Sequence, residues 1–464
     1  MDYDSLKDEL LSIADTGLKY AASLDKSAEF EVFLFVQSDI EAGINQGVVT
    51  AKDGIVMGNA VRAARGKKVG FACGSGIDAE RVRLSADEAF GIANSIDVED
   101  ERFEGFCDSG ASGKEGNFAK EILELGTEEL LRSCEEIIKE AQSVDERAKI
   151  ISADASASWG GYAVANTRGL LLGTSYGDNG CSANVQAIEG DERKGAFEFD
   201  VTRERVFETS GLGKKAAEEA VALLGAKKLD LTTKMQTIWT PVPASLYVMS
   251  SLGQSVLGQP VVEGISPLCD RIGDRIAHEG LTVVDDGQKP SGLGTNAIDH
   301  EGNAQRRNPI IEKGVLKGFL FNTYFGRAFG VDSTGNCGRG SSPFGGSTPY
   351  ESTPGVAPKW FEVSPGKSSE EDLISSVDEK AIMVKGFPLG IFHTNVSTGE
   401  FSIVAGEAYL VEKGEVKHPV QPVSIAGSFY DGFKNLTGIG NDVLPMPWGV
   451  ESPALAIDGF SIVG

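Results

Sequence analysis

The sequence predicts an α+β protein in two parts, an N-terminal α/β domain over residues 1–228 and a β-rich C-terminal domain over residues 229–464. Three observations carry this. Apolar residues at helical spacing alternate with β-branched and aromatic runs through the first half. Composition shifts near Lys227–Thr233. Beyond it glycine and proline rise and helical periodicity fades.

Leu6, Leu10, Ile13, Ala14, Leu18 and Ala21 form one apolar stripe, so an amphipathic helix opens the chain. Glu29–Val36 (EFEVFLFV) reads as a strand with apolar residues on both faces. Turns at Lys52-Asp53-Gly54 and Arg65-Gly66-Lys67 punctuate the strands that follow to Gly70-Phe71, and a second helix is expected over Ala86–Asn94. Gly105–Gly116 is a loop. Thr127 is placed as an N-cap, with Glu128 and Glu129 favouring the positive end of a helix that buries Leu130, Leu131, Cys134, Ile137, Ile138 and Ala141. Lys149–Thr202 reads as a β-meander turning at Asn166–Gly169 and Glu189–Asp191. A helix over Leu212–Leu224 closes on Gly225.

In the second half the clearest helix is Ala244–Leu257, with Leu246, Met249, Leu252 and Val256 as its stripe. Strands are expected near Leu281–Val284, Ile310–Phe321, Ile382–Val384, Phe401–Glu412 and Val423–Ala426. Gly338–Gly346 is a flexible or binding loop. No period of about 20–50 residues marks a solenoid.

The chain has 464 residues, is 41% apolar and 24% charged, and carries a formal net charge of −25. Such acidity repels phosphate backbones and anionic lipid, which argues against nucleic-acid or membrane-surface partners. The N-terminus lacks the cationic start and apolar core of a secretory signal. No run reaches the roughly 18 apolar residues of a membrane span. The six cysteines are scattered without a C-x-x-C pair, as expected for free thiols in a reducing, cytoplasmic setting.

Several short motifs suggest chemistry. Gly173–Gly177 matches G-x-S-x-G around Ser175, but a nucleophile elbow needs a helix next, and a strand-like run follows; a hairpin turn is the better reading. Gly211-Leu212-Gly213-Lys214-Lys215 hints at a phosphate loop. Glu208 and Lys215 stand where that motif needs Gly and Ser or Thr, so a basic helix start is preferred. Gly70–Gly76 reads as a glycine-rich turn. The four histidines, His278, His300, His393 and His418, lie too far apart for two to share a helix face around zinc. A long-range site from His278, Cys337 and carboxylates is the alternative. Asp285-Asp286 and Asp299–Gly302 supply four carboxylates, fit either for acid–base or hard-metal work or for turns that accept backbone N–H groups.

Ordered motifs then accumulate. Asp299-His300-Glu301-Gly302 precedes Arg306-Arg307-Asn308-Pro309, Gly314-Val315-Leu316, Asn322-Thr323-Tyr324 and Ser333-Thr334-Gly335-Asn336. Ser397–Ser402, Ala405–Val411, Ile425–Gly427, Ile439–Asp442 and a closing Ile462-Val463-Gly464 follow. Val61-Arg62, Gly66-Lys67, Gly70-Phe71 and Asn166–Leu170 agree more loosely. In this order the chain resembles the TldD/PmbA family of zinc metallopeptidases and their partner subunits.

The resemblance implies an N-terminal α/β domain, a β-rich, barrel-like C-terminal domain, and dimers. Catalytic members carry H-E-x-x-x-H on a helix near the start of the second domain and a Cys-Gly near the C-terminus. Here Ala244–Leu257 is the helix's counterpart and has neither histidine nor glutamate, and Trp448-Gly449 stands where Cys-Gly would fall. The chain therefore resembles the PmbA branch, also called TldE, with no catalytic residue or metal ligand of its own. Zinc is expected in a TldD-like partner, with which it would form a heterodimer in peptide processing, besides a homodimer alone. Asp299, Glu301, Gly302, Arg306 and Asn308 are the candidates for a substrate groove. The alternatives are an enzyme using a cryptic site from His278, Asp285, Glu301 or Cys337, and a stand-alone peptide-binding or chaperone-like module.

Overall fold

In the computed structural model the described residues are 3–108, 110, 112–340 and 347–464. Part of the loop expected at Gly338–Gly346, residues 341–346, lies outside them. The first half is built on a six-stranded antiparallel sheet in the order β3-β2-β1-β4-β5-β6. Its strands are β1 (Glu29–Asn45), β2 (Val48–Arg65), β3 (Lys68–Ser75), β4 (Ala148–Asn166), β5 (Leu171–Glu189) and β6 (Glu192–Thr202). The helices are α1 (Tyr3–Leu24), α2 (Ala79–Ser95), α3 (Thr127–Gln142) and α4 (Leu212–Ala222).

The period of two in β1 sorts the two faces. Phe30, Val32, Leu34 and Val36 pack on α1 and α2, and Ala42, on the same face, packs on α3 and α4. Four helices thus cover one face. On the other, Phe33 and Phe35 meet Ile298 and Tyr350 of the second half. The C-terminal half covers this face only in part.

The expected turns at Asn166–Gly169 and Glu189–Asp191 join β4 to β5 and β5 to β6. Other expectations in this half are corrected. Lys52-Asp53-Gly54 lies within β2, because the hairpin turns earlier, at Gln46 (φ 47°) and Gly47 (φ 83°). Two consecutive positive φ values suit the twist of a two-residue hairpin. Gly70–Gly76 is strand β3 up to Ser75; an ideal Cβ at Gly70 would lie 2.0 Å from the Ala89 carbonyl, so its glycine serves close packing of α2. G-x-S-x-G sits inside β5, where Ser175 Oγ accepts from the Tyr3 hydroxyl at 2.9 Å. α2 also begins earlier than expected, since Asp78 caps it by accepting from Arg81 N–H. Thr127 is the first residue of α3 and does not cap it.

The second half contains strands β7 (Thr232–Trp239), β8 (Val283–Asp286), β9 (Arg307–Glu312), β10 (Val315–Leu316), β11 (Cys337–Gly338) and β12 (Gly355–Val356). It continues with β13 (Phe361–Val363), β14 (Lys380–Val384), β15 (Glu400–Ala405), β16 (Ala408–Glu412), β17 (Glu415–Val420), β18 (Val423–Ser428), β19 (Leu436–Pro445) and β20 (Val450–Val463). All but β11 and β12 join one 12-stranded sheet, whose main path runs β10-β9-β8-β13-β20-β7-β14-β16-β17 and which branches at β20 toward β18–β15 and β19. Phe401–Glu412 is therefore two strands, split at Gly406 and paired with different neighbours.

The core of this half surrounds α5 (Pro241–Ser250), which is buried on nearly every side: Ala244, Ser245, Leu246, Tyr247, Val248 and Ser250 are all inaccessible. The expected helix Ala244–Leu257 breaks at Ser251 (φ −104°, ψ −85°) and resumes as a short turn over Leu252–Ser255. The Ser250 and Ser251 hydroxyls both donate to the Tyr247 carbonyl, competing with the helical ladder.

Candidate functional site

Because the C-terminal half covers only part of the helix-free face, a groove of about 710 Å³ remains over the rest. Register builds its floor from small and polar residues: Gly43 lies opposite Asp154, which lies opposite Ser182, and Glu41, Ser156 and Gly180 form the next row. Phe197, Phe199 and Val201 of β6 make one wall, and Leu293 and Pro447 from the second half close it. An ideal Cβ at Gly43 would lie 2.5 Å from Asp154 Oδ1, so the glycine keeps the floor low. The wall is aromatic and crosses between the halves. Ring centroids lie 5.9 Å apart for Phe197–Phe199, 6.1 Å for Phe199–Trp448, 5.4 Å for Phe387–Trp448 and 6.0 Å for Phe197–Phe387.

Trp448 leads from this wall to the helix that resembles a zinc helix. Its indole Nε1 donates to Ser245 Oγ at 3.2 Å, while that hydroxyl donates to the Val242 carbonyl at 2.7 Å. The two segments that would supply metal ligands in a catalytic relative therefore do meet. They meet as an indole and a hydroxyl. An indole N–H is a donor without a lone pair for a metal, and zinc is held by Cys, His and carboxylates. The residues here do not fit the ion. Among the described residues no group of three or more His, Cys, Asp and Glu side chains is placed to hold a metal.

Behind the covered part of the sheet lies a buried ionic network. Register places Arg62 opposite Glu31, and the guanidinium donates to both Glu31 carboxylate oxygens, at 2.9 and 2.7 Å, and to Glu301 Oε1 at 3.0 Å. Arg339 Nη2 donates to the same Glu31 at 2.8 Å. Thr323 N–H donates to the other Glu301 oxygen at 2.9 Å. Burial pushes the Glu301 carboxyl up, but Arg62 and Thr323 outweigh it and hold the group below its usual range.

Asp299 accepts from the backbone N–H groups of Glu301, Asn303 and Cys337, each at 2.9 Å. Burial, then the charge of Glu301, raises it to about 6. Asp285 accepts from Lys359 and Trp360 N–H and from Asn336 Nδ2. His300 packs between the Phe33 and Tyr162 rings, and its Nδ1 accepts from Arg339 N–H. Burial drives its pKa well down, so it is neutral.

The structure thus gathers Asp299, Glu301 and Gly302 at the joint between the halves, with Asp299 and Glu301 fully buried. They accept hydrogen bonds in turns and do not line the open groove. Asn308 Nδ2 donates to the Thr334 carbonyl and to Asn336 Oδ1 within the same joint. Arg306 alone of the five is exposed, and its carbonyl accepts from Gly287 N–H at 3.0 Å. The cryptic set is not assembled: His278 is exposed, and its Nδ1 accepts from Gly280 N–H, while Glu301, Asp285 and Cys337 are buried. Sequence reasoning missed Glu31, Arg339 and the aromatic wall. A visible signal for the first was a carboxylate inside EFEVFLFV, where only a paired charge can be buried.

Residues 232–464 match the model of the PmbA/TldA metallopeptidase C-terminal domain, and residues 120–224 that of its central domain. The chain belongs to the TldD/PmbA family. It is 24% identical over 450 residues to the metalloprotease TldD homolog of Buchnera aphidicola subsp. Acyrthosiphon pisum, spanning 88% of this chain and 86% of that protein. It is 25% identical over 319 residues to the metalloprotease PmbA homolog of the same organism, spanning 66% of this chain and 65% of the relative. In fold it is similar to TldE from Thermococcus kodakarensis, with a TM-score of 0.87, 23% identity, and coverage of 97% of this chain and 100% of that one. As a TldD/PmbA protein it is a metallopeptidase-family chain of α+β architecture. The central-domain match begins within the first half, yet β1–β3 before it and β4–β6 inside it form one sheet. Among the described residues no helix is long and apolar enough to cross a membrane.

Proposed function

We propose that this chain is the metal-free, PmbA/TldE-like subunit of a peptide-processing assembly, paired with a zinc-bearing TldD-like subunit. The observation that carries the reading is the Trp448–Ser245 contact, an indole on a hydroxyl where metal ligands would have to converge. Zinc hydrolysis needs a metal to lower the pKa of its water and a nearby carboxylate as base. Here α5 brings only apolar and hydroxyl side chains to that place.

The groove supplies the second half of the proposal. A floor of Gly43, Ser156, Gly180 and Ser182 leaves room for an extended backbone. Phe197 and Phe387, exposed by 38% and 40%, offer apolar rings to side chains of a peptide passing toward the partner.

The purified chain should carry no stoichiometric zinc and should not cleave an unfolded peptide. Co-expression with a TldD-like chain should yield a stable complex with peptidase activity. Zinc that survives cleanup, together with cleavage by the isolated chain, would sink the metal-free reading. Failure of the two chains to associate would leave a stand-alone peptide-binding module.

A further inference from the structure

The groove carries carboxylates that the fold leaves without partners. Its charged lining is Glu41, Asp154 and Asp178 against one ammonium, Lys52. Register sets them in three successive rows. Asp154 lies between Gly43 and Ser182, Glu41 lies between Lys52 and Ser156, and Asp178 lies opposite Ser158, which faces Asp39 on its other side. Rows that share a face are two residues apart, roughly 7 Å.

Behind the covered part of the sheet, Glu31, Asp285, Asp299 and Glu301 each accept from two or more donors. The groove differs. Neither Asp154 nor Asp178 makes a hydrogen bond or ion pair among the described residues. Glu41 has only the exposed Lys52, 3.9 Å away. Asp39, in the row of Asp178, is already satisfied by Gln37 Nε2 at 2.8 Å. Arg203 pulls on Asp178 from nearby, but its Nη1 donates to the Gly292 and Thr295 carbonyls. Burial pushes Asp178 up to about 6 against that pull, so at pH 8 it is a carboxylate short of a partner.

The groove has room and access for one. It measures about 710 Å³, and Glu41, Asp154 and Ser156 are exposed on its floor. Gly43 has no side chain to cover Asp154 Oδ1. At the far side of the same row Phe199 lies opposite Ser182. Asp154 and Phe199 are thus two strands apart, about 10 Å. A cation between them meets a carboxylate on one side and an aromatic ring on the other, and both attract ammonium and guanidinium groups.

We propose that the groove selects peptides with lysine or arginine at alternate positions, and that Asp154 and Asp178 receive two of those side chains. Alternate side chains of an extended peptide share a face and repeat at the spacing of the rows. Asp154 and Asp178 are two rows apart, so cations four residues apart on the peptide reach both. The proposal rests on reading the groove as a peptide site and names the class of peptide it takes.

The test is calorimetric titration of the full-length chain at pH 8 in physiological salt. Three blocked octapeptides serve as probes: lysine alternating with serine, glutamine alternating with serine, and the same lysines and serines in two blocks. The alternating lysine peptide should bind at least tenfold more tightly than the glutamine peptide and at least threefold more tightly than the block peptide. Asp154→Asn with Asp178→Asn should weaken it at least tenfold. Glu80→Gln with Glu128→Gln removes the same charge from exposed positions on α2 and α3, on the other face of the sheet, and should change binding less than twofold. If the glutamine peptide binds as tightly as the alternating lysine peptide, the groove remains a peptide site and the selectivity falls. If no peptide binds, the peptide reading of the groove falls with it. If the block peptide binds equally well, or both double variants lose binding alike, the attraction belongs to the net charge of −25 and the proposal falls. Should Asp178→Asn not fold, Asp154→Asn against Glu80→Gln makes the same comparison.

Discussion

Trp448 Nε1 donates to Ser245 Oγ at 3.2 Å, joining the loop before β20 to the buried helix α5. The indole also contacts Phe199 and Phe387, so one side chain ties α5 to the groove wall. Trp448→Ala removes a half-buried ring and should cost about 2 kcal/mol in urea denaturation. Trp448→Phe keeps the ring contacts and should cost less. Trp448→Cys adds a thiol but no imidazole, and metal analysis should find no stoichiometric zinc in it.

Glu31 is the hub of the buried network, accepting from both Arg62 and Arg339. Glu31→Gln leaves two buried guanidinium groups short of charge and should cost about 3–5 kcal/mol, the range for breaking a buried pair. Since Arg339 and Glu301 belong to the second half, the loss should also loosen the joint. Denaturation followed by separate probes in each half should change from one transition to two.

Glu407 is pushed up to about 7, first by burial and then by the charges of Glu219 and Glu198. A carboxyl raised above its usual 4.5 holds a proton in the folded chain that the unfolded chain releases. Its contribution to stability is therefore complete below about pH 4.5 and is lost as pH rises through about 7. Glu407→Gln should be more stable than the parent at pH 8, by on the order of 2 kcal/mol, and no more stable near pH 4.5. Melting temperatures across that range check both the size and the sign.

Gly213 is the second glycine of the stretch with a phosphate-loop look. It lies in the first turn of α4, and an ideal Cβ there would stand 2.0 Å from the Ile137 carbonyl of α3. Its role is close helix packing. Gly213→Ala should destabilise the chain by about 1–3 kcal/mol, the cost of overpacking. A nucleotide should not shift the melting temperature of the parent.

Local pattern carried much of this molecule. The apolar stripe of α1, the meander β4–β6 and the helix α4 follow from spacing and turn residues over a few positions, where short-range sterics and burial periodicity agree. The departure of the α5 and Trp448 segments from a zinc ligand set was also legible, because ligand chemistry is a property of residue type. The break at Ser251 was not, since it depends on two hydroxyls finding the Tyr247 carbonyl rather than solvent.

What the sequence determined by itself was therefore the family, the order of helices and strands in the first half, and the side chains available at the would-be metal site. Tertiary structure alone decided which face of each strand met what. It buried Asp299 and Glu301 behind Arg62 and left Gly43, Asp154 and Ser182 open on a groove. It also brought Trp448 onto Ser245 across 203 residues. The reason is physical: a strand's period of two names two faces, but only the packing of the second half on the first selects the one that stays in water.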